Sequence, residues 1–227
     1  MAPINRYRRP TDLPKQIPVF PLRAVILLPR ATLPLNLFEP RYLQMIEDVV
    51  AGNRIIGIVQ PERAVGDEDS PTGKTIGLRR VGCAGRVTAF QELDDGRVVI
   101  TLTGICRFNI DQEIDTRDPY RTCAVDYQSF ADDFKQGAGE DEVNREKLLH
   151  VLKRYLESHQ FRADWKAIGS APSEHLVNSL SIISPYSAEE KQALLEAPDL
   201  KARAEVLVAL AEMEMATGDG GTGSTMQ

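Results

Sequence analysis

The stretch from residue 17 to residue 60 constrains the fold most, because short apolar runs and prolines alternate along it. Leu33, Leu35 and Leu37 recur at every second position, which is the period of a β-strand. Pro34 has no backbone N–H to donate, so we predict that this strand lies at the edge of a sheet or begins beside a bulge.

A single helix is predicted between this strand and the next apolar run. Pro40 suits the first position of a helix, where a backbone N–H would have no partner inside the helix. Leu43, Ile46 and Val50 follow at helical spacing, and Gly52 stands where a left-handed residue commonly ends a helix. The predicted order is therefore strand, helix, strand.

The pattern of residues 76–128 is typical of further strands. A strand at 85–93 is joined to a second strand by Asp94-Asp95-Gly96, a hairpin signal because glycine accepts positive φ. Gly104 predicts a bulge or a sharp bend in that second strand. With a last strand at 121–128, we count six or seven strands and one helix, enough for a small, strongly curved β-barrel-like domain.

Helical patterns dominate the second half of the chain. Helices are predicted at 142–159 and 173–183, the second capped by Ser173. Ser187-Ala188-Glu189-Glu190 is a capping box for the next helix, and Asp199 caps the last one. The buried face of that last helix is predicted to hold Val206, Leu207, Leu210 and Met213.

The sequence thus predicts an α+β protein with two domains. A flexible arm at 1–14 precedes the β domain at 15–128. A polar, glycine-containing connector at 129–140 leads to a helical domain at 141–217. The glycine-rich residues 218–227 are predicted to form a disordered tail.

Composition narrows the choice of partners and compartment. The formal net charge of −6 argues against nucleic acid as a partner. Cys83, Cys106 and Cys123 form no C-x-x-C pair, so we predict buried free thiols in a reducing compartment. Neither a secretory signal nor an apolar run long enough to cross a bilayer is visible. These observations predict a cytoplasmic protein without a membrane partner.

Motifs for catalysis, cofactors and metals are missing from the sequence. Gly66 and Gly73-Lys74-Thr75 suggest a phosphate loop, but six residues separate the glycines instead of four, and three of them are acidic. The three histidines lack metal-ligand spacing, and no G-x-S-x-G elbow is present. We predict no cofactor, no metal and no catalytic residue.

Seven motifs follow one another in a characteristic order along the chain. They are Pro18-Val19-Phe20-Pro21-Leu22-Arg23, Leu28-Pro29, Leu33-Pro34-Leu35, Pro40-Arg41-Tyr42, Val81-Gly82-Cys83-Ala84-Gly85-Arg86-Val87, Asp95-Gly96-Arg97 and Gly104-Ile105-Cys106-Arg107-Phe108-Asn109-Ile110. Together they resemble the amino-terminal substrate-binding domain of Lon proteases over residues 15–217. The resemblance implies a PUA-like β domain followed by a helical bundle. In Lon enzymes the ATPase module and the serine–lysine protease domain lie beyond the matching region, so we predict neither activity here.

The same resemblance implies a non-enzymatic protein that recognises a polypeptide substrate or a partner protein, as an accessory to proteolysis or protein quality control. The predicted edge strand at 33–38 could accept an added strand, although prolines at an edge commonly block such pairing. An aromatic candidate could equally belong to the core, and Arg41 could pair with Glu39 or Glu47 instead of a ligand. The peptide-binding candidates are Phe20, Leu35, Phe38, Arg41, Tyr42 and Arg107.

Two other classes of function stay open at this point. PUA-like folds elsewhere bind RNA, which would require a basic stripe on the β domain despite the acidic balance of the chain. A small-molecule-binding protein or an unrecognised enzyme would require a deep concave site with polar groups, placed between the two domains.

Overall fold

The structure is a computed structural model that describes residues 7–62, 76–158 and 164–218. The loop predicted at 64–75, with its weak phosphate-loop motif, lies outside the described residues. The predicted tail also lies outside them, except Gly218, which ends the last helix.

The elements follow the predicted order of a β half and then a helical half. The strands are β1 (Gln16–Pro21), β2 (Thr32–Leu37), β3 (Ile55–Pro61), β4 (Leu78–Glu92), β5 (Val98–Ile114) and β6 (Arg121–Asp126). The helices are α1 (Pro40–Ala51), α2 (Arg145–Ser158), α3 (Trp165–Ser170), α4 (Ser173–Ile183), α5 (Ala188–Glu196) and α6 (Leu200–Gly218). Short 3₁₀ helices occur at Pro10–Asp12, Gln128–Phe134 and Glu140–Glu142.

Five strands close into a barrel in the order β5-β4-β3-β1-β6, because β6 pairs again with β5. The pairing of β1 with β3 is parallel, and the other pairings are antiparallel. β2 pairs with the first part of β5 and lies outside the closed ring. The predicted β-barrel-like fold with one helix is confirmed.

The long strand β5 is irregular at Gly104, where the sequence predicted a bulge or a sharp bend. The register between β4 and β5 shifts next to Gly104, and a Cβ atom at Gly104 would overlap the carbonyl oxygen of Leu28. The backbone N–H of Gly104 donates to the carbonyl of Ala31 at 2.9 Å, and its own carbonyl accepts from the N–H of Arg30 at 2.9 Å. Only glycine therefore lets residues 28–31 cross this close to the barrel.

The core of the barrel is built around Phe108. Its ring meets Tyr127 edge-on, with ring centroids 6.3 Å apart. Gly57 and Gly82 leave space for the ring, since a Cβ atom at these positions would lie 2.9 and 2.5 Å from its Cζ atom. The surrounding buried residues include Ile17, Val19, Ile55, Val59, Ala84, Ile105, Cys106, Cys123 and Val125.

Residues 7–14 differ from the predicted flexible arm. Tyr7 and Leu13 are buried against the barrel core. Arg86 donates from Nη1 to the hydroxyl of Tyr7 at 3.1 Å, and the hydroxyl of Tyr127 donates to the carbonyl of Pro14 at 3.0 Å. The sequence pattern missed this docking because two isolated apolar residues have no periodicity.

The segment predicted as a polar connector is also partly ordered against the barrel. Gln128–Phe134 forms a 3₁₀ helix in which Asp133 is buried. Phe130 and Phe134 pack against the barrel core. The sequence predicted a polar connector here, whereas the structure pairs one of its acidic residues, Asp133, with Arg107 inside the protein.

The described residues fall into two compact units. The first lies within Met1–Gln136 and Pro185–Leu195, and the second within Gly137–Ser184 and Glu196–Gln227. This division differs from the predicted domains, because most of α5 groups with the barrel although it follows α4 in the chain. In the second unit, α6 packs against α2 and α4, and Arg203 donates to Asn178 Oδ1 at 2.9 Å.

The predicted helix caps are mostly confirmed. The backbone N–H of Ser187 donates to Glu190 at 2.8 Å and that of Glu190 donates to Ser187 Oγ at 3.3 Å, which completes the capping box. Asp199 accepts from the N–H of Ala202 at 2.8 Å. Ser173 was wrongly predicted as a cap, since it is the first residue of α4 and its hydroxyl accepts from Arg145.

Two further local predictions were wrong. Met213 is exposed and does not belong to the buried face of α6. Gly52 has a φ of −102°, and the left-handed residue after α1 is Arg54, with a φ of 67°.

Candidate functional site

Three of the six peptide-binding candidates lie in the interior. Phe20 of β1 and Tyr42 of α1 are buried, with ring centroids 4.1 Å apart. Arg107 of β5 is buried as well, and both guanidinium Nε and backbone N–H donate to Asp133 Oδ2 at 2.9 Å. These three side chains make their contacts inside the protein, so their predicted role in peptide binding has no exposed surface in this structure.

The other three candidates lie at or near the surface. Leu35 is partly buried on β2, between the buried Leu33 and Leu37. Arg41 is held by Glu39, with 2.7 Å between Nη2 and Oε2, so the predicted alternative of a salt bridge is what the structure shows. Phe38 is 66% exposed directly after β2.

The structure shows a cavity that the sequence did not predict. It lies between α1 and the hairpin that joins β4 to β5, and it has a volume of about 240 Å³. We call it the α1–hairpin cavity. Its lining residues are Leu43, Ile46 and Glu47 of α1 and Phe90, Glu92, Leu93, Gly96, Arg97 and Val98 of the hairpin.

Strand register explains how an apolar face of the sheet reaches this cavity, whose lining is both apolar and polar. Leu35, Ile100 and Phe90 lie directly opposite one another on β2, β5 and β4, so their side chains share one face of the sheet. Ile100 is fully buried, whereas Phe90 is 42% exposed towards the end of the hairpin. The apolar face thus continues from the core into the open cavity.

Phe38 is placed at the same end of the sheet. Leu37 lies opposite Val98, which in turn lies opposite Glu92, and the chain leaves β2 one residue later. Phe38 and Phe90 are the exposed large hydrophobic side chains among the described residues of the first unit. Phe90 lines the cavity, whereas Phe38 is not among its lining residues.

The charged side chains that line the cavity differ in whether they have an ion-pair partner. The cation of the lining, Arg97, is already paired with Asp95, with 2.6 Å between Nη2 and Oδ2. The hydrogen bond from the Arg97 side chain lowers the pKa of Asp95, so both groups stay charged at neutral pH. Glu47 and Glu92 are exposed and form no ion pair with any described residue.

The described part of the chain contains no metal-binding cluster, and two of its cysteines have a raised pKa. No cluster of three His, Cys, Asp or Glu side chains that could hold a metal ion occurs there. Burial raises the pKa of the Cys106 thiol, and it raises the pKa of the Cys123 thiol to about 11. Both thiols are therefore protonated at neutral pH and poorly nucleophilic. Among the described residues, no helix combines the length and apolar character needed to span a membrane.

Sequence reasoning missed Phe90, Leu43 and Leu93 as components of a site. Phe90 was only one apolar residue in a predicted strand, and Leu43 was part of a helix periodicity. The signal that could have found Phe90 is its position four residues before the predicted turn, among polar neighbours on a hairpin.

Comparison with known proteins gives one consistent family. The model of the ATP-dependent protease La (LON) substrate-binding domain matches residues 16–212. The Lon protease of Flavobacterium johnsoniae is 30% identical over 199 residues, which cover 85% of this chain and 23% of that protein. The Lon protease of Anaeromyxobacter dehalogenans is 27% identical over 202 residues, covering 88% and 23%. The chain therefore spans less than a quarter of the length of these relatives.

Two solved structures share the fold. The Lon N-terminal domain protein from Xanthomonas campestris superposes with a TM-score of 0.59 at 24% identity. The match covers 86% of this chain and 97% of the Xanthomonas chain. The N-terminal domain of the Lon protease of the Mycobacterium avium complex gives a TM-score of 0.60 at 16% identity, covering 87% and 98%. At these identities the likeness shows a common fold.

Proposed function

The chain belongs to the family of LON substrate-binding domains, and we propose that it recognises segments of other polypeptides without acting on them chemically. The observation that carries this proposal is the family match over residues 16–212. We further propose that this recognition serves proteolysis or protein quality control.

The α1–hairpin cavity is the proposed binding site. It offers an apolar floor that is open to solvent, and Phe90 stands half exposed at its edge. Its volume of about 240 Å³ is below the range of roughly 300–1,000 Å³ that is usual for small-molecule sites. A cavity of this size suits one large apolar side chain of an extended polypeptide better than a metabolite.

The edge of β2 contributes less to the proposal. β2 pairs with β5 on one side, and Pro34 in its middle is exposed and has no N–H to donate. A ligand strand added to this edge would lose one backbone hydrogen bond there. We therefore assign recognition to side-chain burial at the cavity, with Phe38 and Leu35 beside it.

A peptide-binding measurement tests the proposal. Fluorescence anisotropy of a labelled, unstructured peptide that contains phenylalanine and leucine reports its affinity for the protein. We expect Phe90→Ser to weaken binding about tenfold, because an aromatic anchor in an interface is commonly worth about 1–2 kcal/mol. The double variant Phe38→Ser/Phe90→Ser should weaken it further.

Ile183→Ser is the matched control. Ile183 is 73% exposed at the end of α4 in the second unit, so the substitution removes an apolar side chain that is more exposed than Phe90 and lies outside the cavity. It should leave the affinity unchanged. Equal loss in Phe90→Ser and Ile183→Ser, or no measurable binding by the unmodified protein, would show that the cavity is not a polypeptide site.

A further inference from the structure

The apolar floor of the α1–hairpin cavity does not by itself choose among polypeptides. Leu43, Ile46 and Phe90 can bury any large apolar side chain, because hydrophobic contact is non-directional. Selectivity must come from groups at the rim that a neighbouring residue of the ligand would meet.

The rim is acidic once internal pairs are removed. Arg97 is neutralised by Asp95, with Arg97 Nε donating to Asp95 Oδ2 at 2.7 Å. Glu47 on α1 and Glu92 at the end of β4 remain exposed, without an ion pair to any described residue. These two carboxylates flank the apolar floor from the helix and from the hairpin.

We infer that the cavity selects polypeptide segments in which a large apolar residue is flanked by lysine or arginine. The inference rests on the proposed function and adds the chemistry of its substrate. A cationic residue next to the buried side chain can pair with Glu47 or Glu92 while its aliphatic stem lies on the apolar floor. An acidic residue there would meet like charge, which disfavours the wrong partner.

Three labelled peptides test the inference in the full chain. They share one 12-residue sequence with a central phenylalanine and differ only in the residues that flank it, which are lysine, serine or glutamate. We expect the lysine peptide to bind about fivefold more tightly than the serine peptide, since exposed ion pairs each contribute a factor of roughly 1.4–5. Its advantage should shrink when salt is raised from 0.05 to about 0.5 M.

Two variants with the same change in net charge distinguish attraction by the rim carboxylates from attraction by the overall negative charge of the protein. Glu47→Gln/Glu92→Gln removes the rim carboxylates and should abolish the preference for lysine while keeping affinity for the serine peptide. Asp111→Asn/Glu205→Gln removes two exposed carboxylates outside the cavity and should keep the preference.

The outcomes distinguish this inference from the function on which it rests. If all three peptides bind equally, or if Glu47→Gln/Glu92→Gln keeps the preference for lysine, polypeptide recognition stands and the charge selection is overturned. If none of the peptides binds, both are overturned.

Discussion

The pair formed by Arg107 and Asp133 holds the 3₁₀ helix after β6 against the barrel. Arg107 Nη2 donates to Asp133 Oδ1 at 2.9 Å, and its guanidinium lies 4.4 Å from the centre of the Phe130 ring. Arg107 Nη1 also donates to the carbonyl of Leu195 at 3.1 Å. A guanidinium buried in this way depends on every partner, because an unpaired buried charge is costly.

Asp133→Ala should therefore destabilise the protein by about 3–5 kcal/mol, the usual cost of leaving one member of a buried ion pair alone. Urea unfolding followed by far-ultraviolet circular dichroism measures this loss. The neighbouring Asp132→Ala is the control, since Asp132 and its partner Lys135 are both exposed and the unfolding midpoint should hardly move. Similar midpoints for the two variants would contradict a structural role for the buried pair.

Lys191 makes stability depend on pH in the alkaline range. Burial lowers the pKa of this amine from its ordinary 10.5 to about 8. Between pH 8 and pH 10.5 the unfolded chain therefore binds the extra proton, so the free energy of unfolding rises with pH. Relative to Lys191→Met, the unmodified protein should gain up to about 3 kcal/mol over this interval.

Urea titrations at pH 7, 9 and 10.5 check this sign and magnitude. The comparison with Lys191→Met cancels the titration of tyrosines and other lysines, which both proteins share. Lys191→Arg should show no such rise, because a guanidinium stays charged throughout. A constant difference between the unmodified protein and Lys191→Met at all three pH values would contradict a lowered pKa.

The burial of an individual residue was predictable where a local sequence rule determines it. The sequence correctly placed the three cysteines inside as free thiols, since cysteines among strand residues behave as small apolar side chains. It could not identify Arg107 as buried, because its partner Asp133 lies 26 residues further on, in a stretch whose composition is that of a surface loop. Burial of an ion pair is decided by tertiary packing.

In strand β5, one glycine allows another segment of the chain to cross the strand closely. β5 is 17 residues long and pairs with β2, β4 and β6. Its register against β4 shifts beside Gly104, where residues 28–31 cross the strand. Loss of this close approach would separate the crossing segment from the barrel.

Gly104→Ala should destabilise the protein by about 3 kcal/mol or more, above the range of roughly 1–3 kcal/mol for ordinary overpacking, because its new methyl group meets a backbone carbonyl that cannot rotate away. Thermal unfolding measures the effect. Gly169→Ala is the control, since a Cβ atom at this position in α3 meets nothing within 4 Å and alanine favours a helix. A midpoint for Gly104→Ala equal to that of Gly169→Ala would contradict the crossing.

Elements were predictable from the sequence where capping and periodicity agree. The capping box Ser187–Glu190 and the β4–β5 hairpin with Gly96 at a φ of 80° occur as predicted. The α1–hairpin cavity was not predictable, because it forms where α1 and a hairpin from residues 90–98 meet. That meeting depends on strand register across β2, β5 and β4, which local sequence patterns do not determine.

At the scale of the whole molecule, α5 packs with the barrel although it follows helices of the second unit in the chain. Gln60 of β3 is buried, accepts from the N–H of Ala24 and donates to the carbonyl of Ala188 at 2.9 Å. It also donates to Gln192, which in turn donates to the carbonyl of Val81 at 3.2 Å. A helix from the second half of the chain thus satisfies polar groups of the barrel, which composition shifts along the sequence cannot predict.

A fragment of residues 1–136 should consequently be less stable than the barrel in the complete chain. Without α5, Gln60 and Arg107 each lose buried partners, and each unsatisfied group costs about 1–3 kcal/mol. A synthetic peptide of residues 185–196, added to the fragment, should raise its urea midpoint, while a Leu194→Ser/Leu195→Ser peptide should not, because both leucines are fully buried. A urea titration followed by the far-ultraviolet circular dichroism of the β-strands measures each midpoint. A fragment as stable as the complete chain, indifferent to either peptide, would show that the barrel folds without α5.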